Sequence, residues 1–485
     1  MRLTVFGMGY LGVTHSACMA ELGHEVLGVE VDQERLAKLR NGELPFYEPG
    51  LQELLVKHLD SGQLRVTASY EEAADWGDVF FIAVGTPQKE GEFAADLRYV
   101  EAVVEQLVPL LARDAVVLGK STVPVGTAAR LASRADELAK DVTAEIAWNP
   151  EFLREGCAIK DTLEPDRLVL GRDPQGRAEE VVREIYAPLL DQGTPFIVTD
   201  PATAELVKTS ANAFLATKIS FINSIAEICS AAGADVKAVA EAMGHDPRIG
   251  RHFLRPGLGF GGGCLPKDIR AFMARAGELG AAEALTFLRE VDNINMRRRT
   301  RMVDLCREVC GGSLLGARVA VLGAAFKPEC DDVRDSPALN VAGQVQLQGA
   351  MVSVYDPKAM DNARSIFPTL HYSTSATDAC EKADVVLMLT EWDEFLKLDP
   401  SSIAGLVRRQ VIIDGRMCLD KAKWTDAGWQ YGWASREIGL RKERRVKNIR
   451  FIAPAPAAVG RSCARSTRRP RLGRFRGRPR RSRRC

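Results

Sequence analysis

"RLTVFGMGYLGVTHSACMAELGHEVLGVEVD", residues 2–32, decides the fold. Its opening run is apolar and short, as in a parallel strand covered on both faces. Gly7-Met8-Gly9-Tyr10-Leu11-Gly12 follows at once, then helical spacing to Leu22, then a second strand-like run ending at Glu30 and Asp32. A lone GxGxxG is a weak signal. Here it closes a strand, opens a helix and is followed by an acid at the end of the next strand, which is the dinucleotide-binding arrangement. The glycines let the backbone approach a pyrophosphate, which the free N–H groups of the helix N-terminus favour. A carboxylate at Glu30 accepts ribose hydroxyls and repels a 2′-phosphate, so NAD is expected over NADP. Arg35 pulls the other way.

Three more strand ends follow: "VGTP" with Thr86, "STVPVGT" with Thr122, and "NPEFLREG" with Glu151, Phe152, Leu153 and Glu155. Ligands of an open parallel sheet lie beyond the carboxyl ends of its strands, so these clusters should line one crevice. From Ala202 to about Cys229 the pattern is helical, and Lys208 and Asn212 share a face. A second helical region runs from Asp268 to about Val309, and its Arg297-Arg298-Arg299 reads as a wet helix face. At Arg318 a second doubly wound pattern begins, without GxGxxG. Its strand-end candidates are Phe326, Lys327, Arg334, Asp356 and Arg416, and three cations among them suit an anionic ligand.

"GFGGGCLPKD", residues 259–268, places a thiol where the backbone is barest. Pro266 fits the first turn of a helix, which sets Cys264 at a helix N-terminus. That location, with Lys267 beside it, is expected to lower the thiol pKa. An NAD site with an activated thiol suggests oxidation to the acid level: alcohol to aldehyde, thiohemiacetal, thioester, then hydrolysis.

The 485 residues are enough for two or three domains, and 46% hydrophobic with 27% charged residues is the composition of a soluble globular chain. No apolar run is of membrane-spanning length, and with a strand-like run starting at Arg2 no leader peptide is expected. Eleven scattered cysteines suit a reducing cytoplasm, and Cys306 with Cys310 reads as buried helix thiols; no metal site is expected. The net charge of +1 hides an asymmetry: residues 441–485 carry 18 Lys plus Arg against one acid, leaving 47 basic and 63 acidic residues in the body. This Arg-rich tail is expected to be disordered. Three origins stay open for it: a shifted reading frame, an extension peculiar to one strain, or a nucleic-acid-binding arm.

From residue 1 to about 430, the motifs quoted above, with "ELVKTSANAFLATKISFINSIAEIC", "RIGRHFLRPGLGFGGGCLPKD", "GAAFKPECDDVRDSP" and "IDGR", occur in the order and spacing of a known family. They resemble the nucleotide-sugar 6-dehydrogenases, the UDP-glucose/GDP-mannose group. The resemblance implies two Rossmann-like doubly wound parallel-sheet domains joined by a central helical region with a long helix. It divides the chain into an NAD-binding domain (1–200), a helical dimerisation domain (201–310), a UDP-sugar domain (315–433) and the tail (434–485). It implies four-electron oxidation with NAD, the motifs leaning toward UDP-glucose, with GDP-mannose the alternative.

Matched position by position, Cys264 is similar to the family's nucleophile. Lys208, Asn212 and Asp268 resemble its oxyanion and water-handling group, with Thr122 and Glu151 orienting water or accepting protons. Gly7, Gly9, Tyr10, Leu11, Gly12, Glu30, Arg35, Thr86, Thr122, Glu155, Lys267 and Arg334 correspond to the NAD side. Glu151, Phe152, Leu153, Glu155, Arg255, Phe260, Gly261, Phe326, Lys327 and Arg416 correspond to the sugar side, Lys267 also belonging there. Arg248 matches an arginine that reaches a neighbouring subunit, implying at least a homodimer. Glu30 stands where aspartate is common, and Gly263 where serine is frequent. A single-step β-hydroxyacid dehydrogenase would need no thiol. A nucleic-acid-binding protein would act through its tail.

Overall fold

The computed structural model describes residues 1–433; the expectations for the Arg-rich tail lie outside the described residues. Strands β1 (Arg2–Phe6), β2 (Glu25–Val29), β3 (Leu64–Thr67), β4 (Val79–Ile82), β5 (Ala115–Gly119), β6 (Ala144–Trp148), β7 (Leu168–Gly171) and β8 (Phe196–Thr199) form one sheet. Its order is β3-β2-β1-β4-β5-β6-β7-β8. The first six strands are parallel, whereas β6 meets β7 antiparallel through the single pair Trp148↔Gly171. The last two strands run the other way, β8 parallel to β7, at the edge of an otherwise parallel doubly wound sheet. Helices cover both faces, which is why β4 and β5 are buried at every residue.

A second sheet comprises β9 (Arg318–Leu322), β10 (Met351–Tyr355), β11 (His371–Tyr372), β12 (Val385–Met388), β13 (Val411–Asp414) and β14 (Gln430–Trp433), in the order β11-β10-β9-β12-β13-β14, all parallel. One continuous apolar core underlies it, from Leu314 to Trp429, joined by Leu258 and by Met302, Leu305, Cys306 and Val309.

The helices that position the site are α1 (Tyr10–Glu21), α2 (Ala158–Leu163), α3 (Pro201–Ala232), α4 (Leu265–Glu278) and α5 (Thr286–Val309). α1 is buried all round from Gly12 to Ala20, so it carries no amphipathic stripe. α3 is started by Asp200, whose carboxylate accepts from Thr203 N at 2.9 Å, with Pro201 in the first turn, and it stops at Gly233 with φ +76°. It packs along both α4 and α5, so the middle of the chain is a helical layer between the two sheets.

The wet face expected at Arg297-Arg298-Arg299 is corrected. Arg298 and Arg299 are fully buried, and only Arg297 faces solvent. A run of three arginines spans most of a helical turn, so two of them must point inward when both sides of α5 are covered. Cys306 is buried and Cys310 half-buried, both against the second core. Among the described residues no helix is long and apolar enough to cross a membrane.

Candidate functional site

The carboxyl ends of the first sheet, the loop before α4 and the 330–335 loop of the second domain wall a cleft of about 1210 Å³. At its floor Gly7 turns at φ +90°, and a Cβ there would meet the Val84 backbone at 2.9 Å. A Cβ on Gly12 would lie 1.8 Å from the Gly7 carbonyl oxygen, so this glycine permits α1 to seat against the turn. A Cβ on Gly9 would meet nothing within 4 Å, because that backbone faces the open cleft. A tight turn, an open approach and a close packing contact are what a dinucleotide pyrophosphate requires of its three glycines, and the residues fit NAD. Glu30 closes the far end: it accepts from Met8 N at 3.2 Å and Asp32 N at 3.0 Å. Arg35 is paired with Glu30 at 3.0 Å rather than standing free for a phosphate.

Cys264 is the N-cap of α4 and opens onto this cleft. The expected lowering of its pKa is corrected. The protein crowding the other sides of the thiol desolvates it and Asp268 repels its charge, pushing it up to about 11 against the pull of Lys267 and Lys208. Lys267 is a weak counter-ion because its ammonium is 2.5 Å from Asp268.

Behind the thiol lie two buried pairs. Lys208 Nζ is 2.9 Å from Glu151 Oε1, and Asn212 Nδ2 donates to Asp268 Oδ2 at 2.6 Å. Burial alone would lower Lys208, but Glu151, Cys264 and Asp268 outweigh it and raise the ammonium above its usual range. Lys208 and Asn212, one turn apart on α3, thus face the site rather than water. Glu151 Oε2 accepts from Leu153 N at 2.6 Å, which fixes the carboxylate. Thr86 Oγ1 donates to the Thr122 carbonyl at 2.8 Å, tying two strand ends together.

Across the cleft, Arg334 forks onto Asp332 at 2.8 Å and reaches Glu155 at 3.4 Å. Lys327 donates to the Glu155 carbonyl. Burial, then Asp332, pushes the Glu155 carboxyl up to about 7, and its Oε2 is buried without a hydrogen-bond partner. Arg416 donates to the carbonyls of Leu389, Gly259 and Phe326 at 2.7, 3.2 and 2.8 Å. Phe326 packs on Gly262, where a Cβ would meet its ring at 2.8 Å, and Gly261 sits against the Asp335 carbonyl. Phe152 lies under Arg167 and near Lys208. Phe260 is turned into the helical core with Ala213 and Leu288. Arg248 and Arg255 are exposed, Arg248 paired with Asp246, and neither lines the cleft.

Asp356 is corrected as a ligand candidate: it is buried and accepts from Ala324 N, Ala359 N and Trp392 Nε1 at 2.7, 2.9 and 3.0 Å. Two residues escaped the sequence reading. Lys120 stands one residue before Ser121-Thr122, buried over Tyr186, and desolvation lowers it to about 7. "GKST" at a strand end was its only local signal. Glu48 accepts from Tyr10 Oη at 2.5 Å, Gly156 N at 2.6 Å and Ala158 N at 2.7 Å, joining the cradle to the Glu151–Glu155 loop. Its partners lie far off in sequence, so nothing near it announced them.

Sequence profiles of the UDP-glucose/GDP-mannose dehydrogenase family match in succession: the NAD binding domain over residues 1–190, the central domain over 202–297 and the UDP binding domain over 320–421. The UDP-glucose 6-dehydrogenase of Rhizobium meliloti (strain 1021) is 40% identical over 434 residues, covering 89% of this chain and 98% of that protein. That of Pseudomonas aeruginosa is 41% identical over 447 residues, with 89% and 96% covered. A solved UDP-glucose dehydrogenase from Pyrobaculum islandicum superposes with a TM-score of 0.82 at 40% identity, covering 90% of this chain and 98% of that one.

Proposed function

The chain belongs to the UDP-glucose/GDP-mannose dehydrogenase family, and from that premise we propose that it oxidises UDP-glucose to UDP-glucuronate through a covalent intermediate on Cys264. One observation carries the reading: a dinucleotide cradle and a thiol share one cleft, with the Lys208–Glu151 and Asn212–Asp268 pairs behind the thiol. Bound NAD accepts the hydride in each of two oxidations.

The chain's residues do the rest. As the C6 alcohol loses hydride, its hydroxyl proton passes to Glu151, directly or through a water held by Thr122. The Cys264 sulfur then adds to the aldehyde carbon while its proton ends on the former carbonyl oxygen. A thiol held neutral in the free protein favours such a concerted addition over attack by a standing thiolate. Lys208 and Asn212 donate to that oxygen as charge develops on it. Loss of the second hydride and the hydroxyl proton leaves a thioester. Water oriented by Asp268 adds to it, the C–S bond breaks, and sulfur recovers a proton. One UDP-glucose, two NAD⁺ and one water give one UDP-glucuronate, two NADH and three protons.

Lys327, Arg416 and Phe326 hold the uridine diphosphate half, at the loops where the second domain meets the Gly-rich stretch. Arg248, exposed on this chain, serves the site of a second copy. An NADH assay over a panel of nucleotide sugars tests the proposal. Two NADH per UDP-glucose consumed, with kcat/KM above that for GDP-mannose, supports it; one NADH per sugar, or preference for GDP-mannose, overturns it.

A further inference from the structure

Residues 256–262 run buried through the middle of the molecule with neither helix nor strand to satisfy their backbone. Such a segment must find its hydrogen bonds elsewhere. Gly257 N donates to Asn223 Oδ1 at 2.8 Å, and its carbonyl accepts from Arg298 Nε at 3.0 Å. Asn295 takes both polar groups of Phe260: Oδ1 accepts from the N–H at 2.7 Å and Nδ2 donates to the carbonyl at 3.0 Å. One side-chain amide thus stands in for a neighbouring strand. Arg299 adds 3.2 Å bonds to the carbonyls of Phe260 and Asp335, and its Nη1 meets the Asp335 carboxylate at 2.7 Å.

The glycines answer to the same side chains. A Cβ on Gly259, at φ +98°, would lie 2.3 Å from Asn295 Oδ1, so the residue is glycine because the clamp is there. Four residues past Phe260 the chain reaches Cys264. Asp335, at the strained φ of +46°, belongs to the second-domain loop that also carries Arg334. Arg299 therefore grips the thiol-bearing loop and the opposite wall of the cleft from one buried guanidinium.

We propose that Asn295 and Arg299, one turn apart on α5, are positioning residues that set the Cys264 sulfur in the cleft. They touch no reacting atom in this role. The proposal rests on the reading of Cys264 as the nucleophile. Displacing a reacting group by about 1 Å costs on the order of 100-fold, so loosening the clamp appears in kcat and in the reactivity of the thiol.

The test uses the full chain carrying Asn295→Ala or Arg299→Lys. Asn295→Ala is expected to lower kcat about 10- to 100-fold, to leave the KM for NAD⁺ within about 3-fold, and to shift the pH profile of Cys264 alkylation by iodoacetamide. Arg299→Lys keeps a charge for Asp335 but loses the Nη2 bonds to the carbonyls of Phe260 and Asp335, and a smaller drop in kcat is expected. Should Asn295→Ala fail to fold, Arg299→Lys decides alone. A folded variant with wild-type kcat and an unchanged alkylation profile, even with a lowered Tm, shows the clamp to be merely structural and overturns the proposal. Cys264→Ala separates the two readings: full turnover without the thiol defeats the nucleophile, whereas the alkylation profile of Asn295→Ala still reports where the loop holds the sulfur.

Discussion

The two sheets begin alike and end differently. Each opens with a buried strand, a glycine at positive φ (Gly7 and Gly323) and an acid just past the second strand, Glu30 and Asp356. In the first half the acid borders the cleft and Gly9 leaves the backbone bare beside it. In the second half Trp392 and four backbone N–H groups close over Asp356, and a Cβ on Gly323 would strike Thr390 at 2.4 Å. The same strand-end carboxylate borders an open cleft where a second glycine leaves the turn bare, and is a structural pin where none does.

Mutations sharpen or break that contrast. Among changes to the two sheet ends, Gly12→Val should have the largest effect, because its side chain must displace the Gly7 carbonyl 1.8 Å away. NAD⁺ binding measured by calorimetry should weaken at least about 100-fold, together with a loss of stability. Binding near wild type would mean that the turn is not the cradle.

Asp356→Ala leaves several buried N–H groups without an acceptor and should cost about 3–5 kcal/mol in denaturant unfolding, with the preference for NAD⁺ over NADP⁺ unchanged in the folded fraction. Glu30→Ala should weight the two the other way: the KM for NAD⁺ rises about 10-fold and the preference narrows, with a smaller loss of stability than Asp356→Ala, since Glu30 accepts from two backbone N–H groups rather than four. If Asp356→Ala altered cofactor preference, the two acids would not differ as described.

A smaller effect is expected from pH. Glu155, raised from 4.5 to about 7, keeps a proton in the folded chain that the unfolded chain releases. Its contribution to stability is present at low pH and is lost as pH rises from about 4.5 to 7. Lys120, lowered from 10.5 to about 7, is neutral in the folded chain where the unfolded chain is charged, so its contribution rises with pH between about 7 and 10.5. Thermal unfolding across pH should show Glu155→Gln flattening the first limb and Lys120→Met the second; unchanged limbs would contradict both assignments.

Much of this was legible because the signals are local. GxGxxG, the strand runs and the Pro266 helix start each depend on neighbours in sequence, and they placed the first cradle and Cys264. The Lys208–Asn212 face was legible as a face, but nothing in its spacing said that Glu151 and Asp268 lie opposite. What failed depended on partners far away. The thiol pKa turned on desolvation by the surrounding protein and then on the charge of Asp268, and the arginine run on a loop some 40 residues earlier that uses Arg298 and Arg299 as hydrogen-bond partners. Asp356 failed for want of Trp392, which no local pattern connects to it.

Steady-state turnover of Cys264→Ala, with NADH and UDP-glucuronate counted against UDP-glucose consumed, tests the central claim most directly. Without the sulfur no thiohemiacetal forms, so four-electron turnover should fall by several orders of magnitude while NAD⁺ and UDP-glucose still bind. Any residual product should be the aldehyde or its hydrate. Release of two NADH and one UDP-glucuronate per UDP-glucose at near wild-type rate would contradict the account and leave Cys264 a residue of the turn alone.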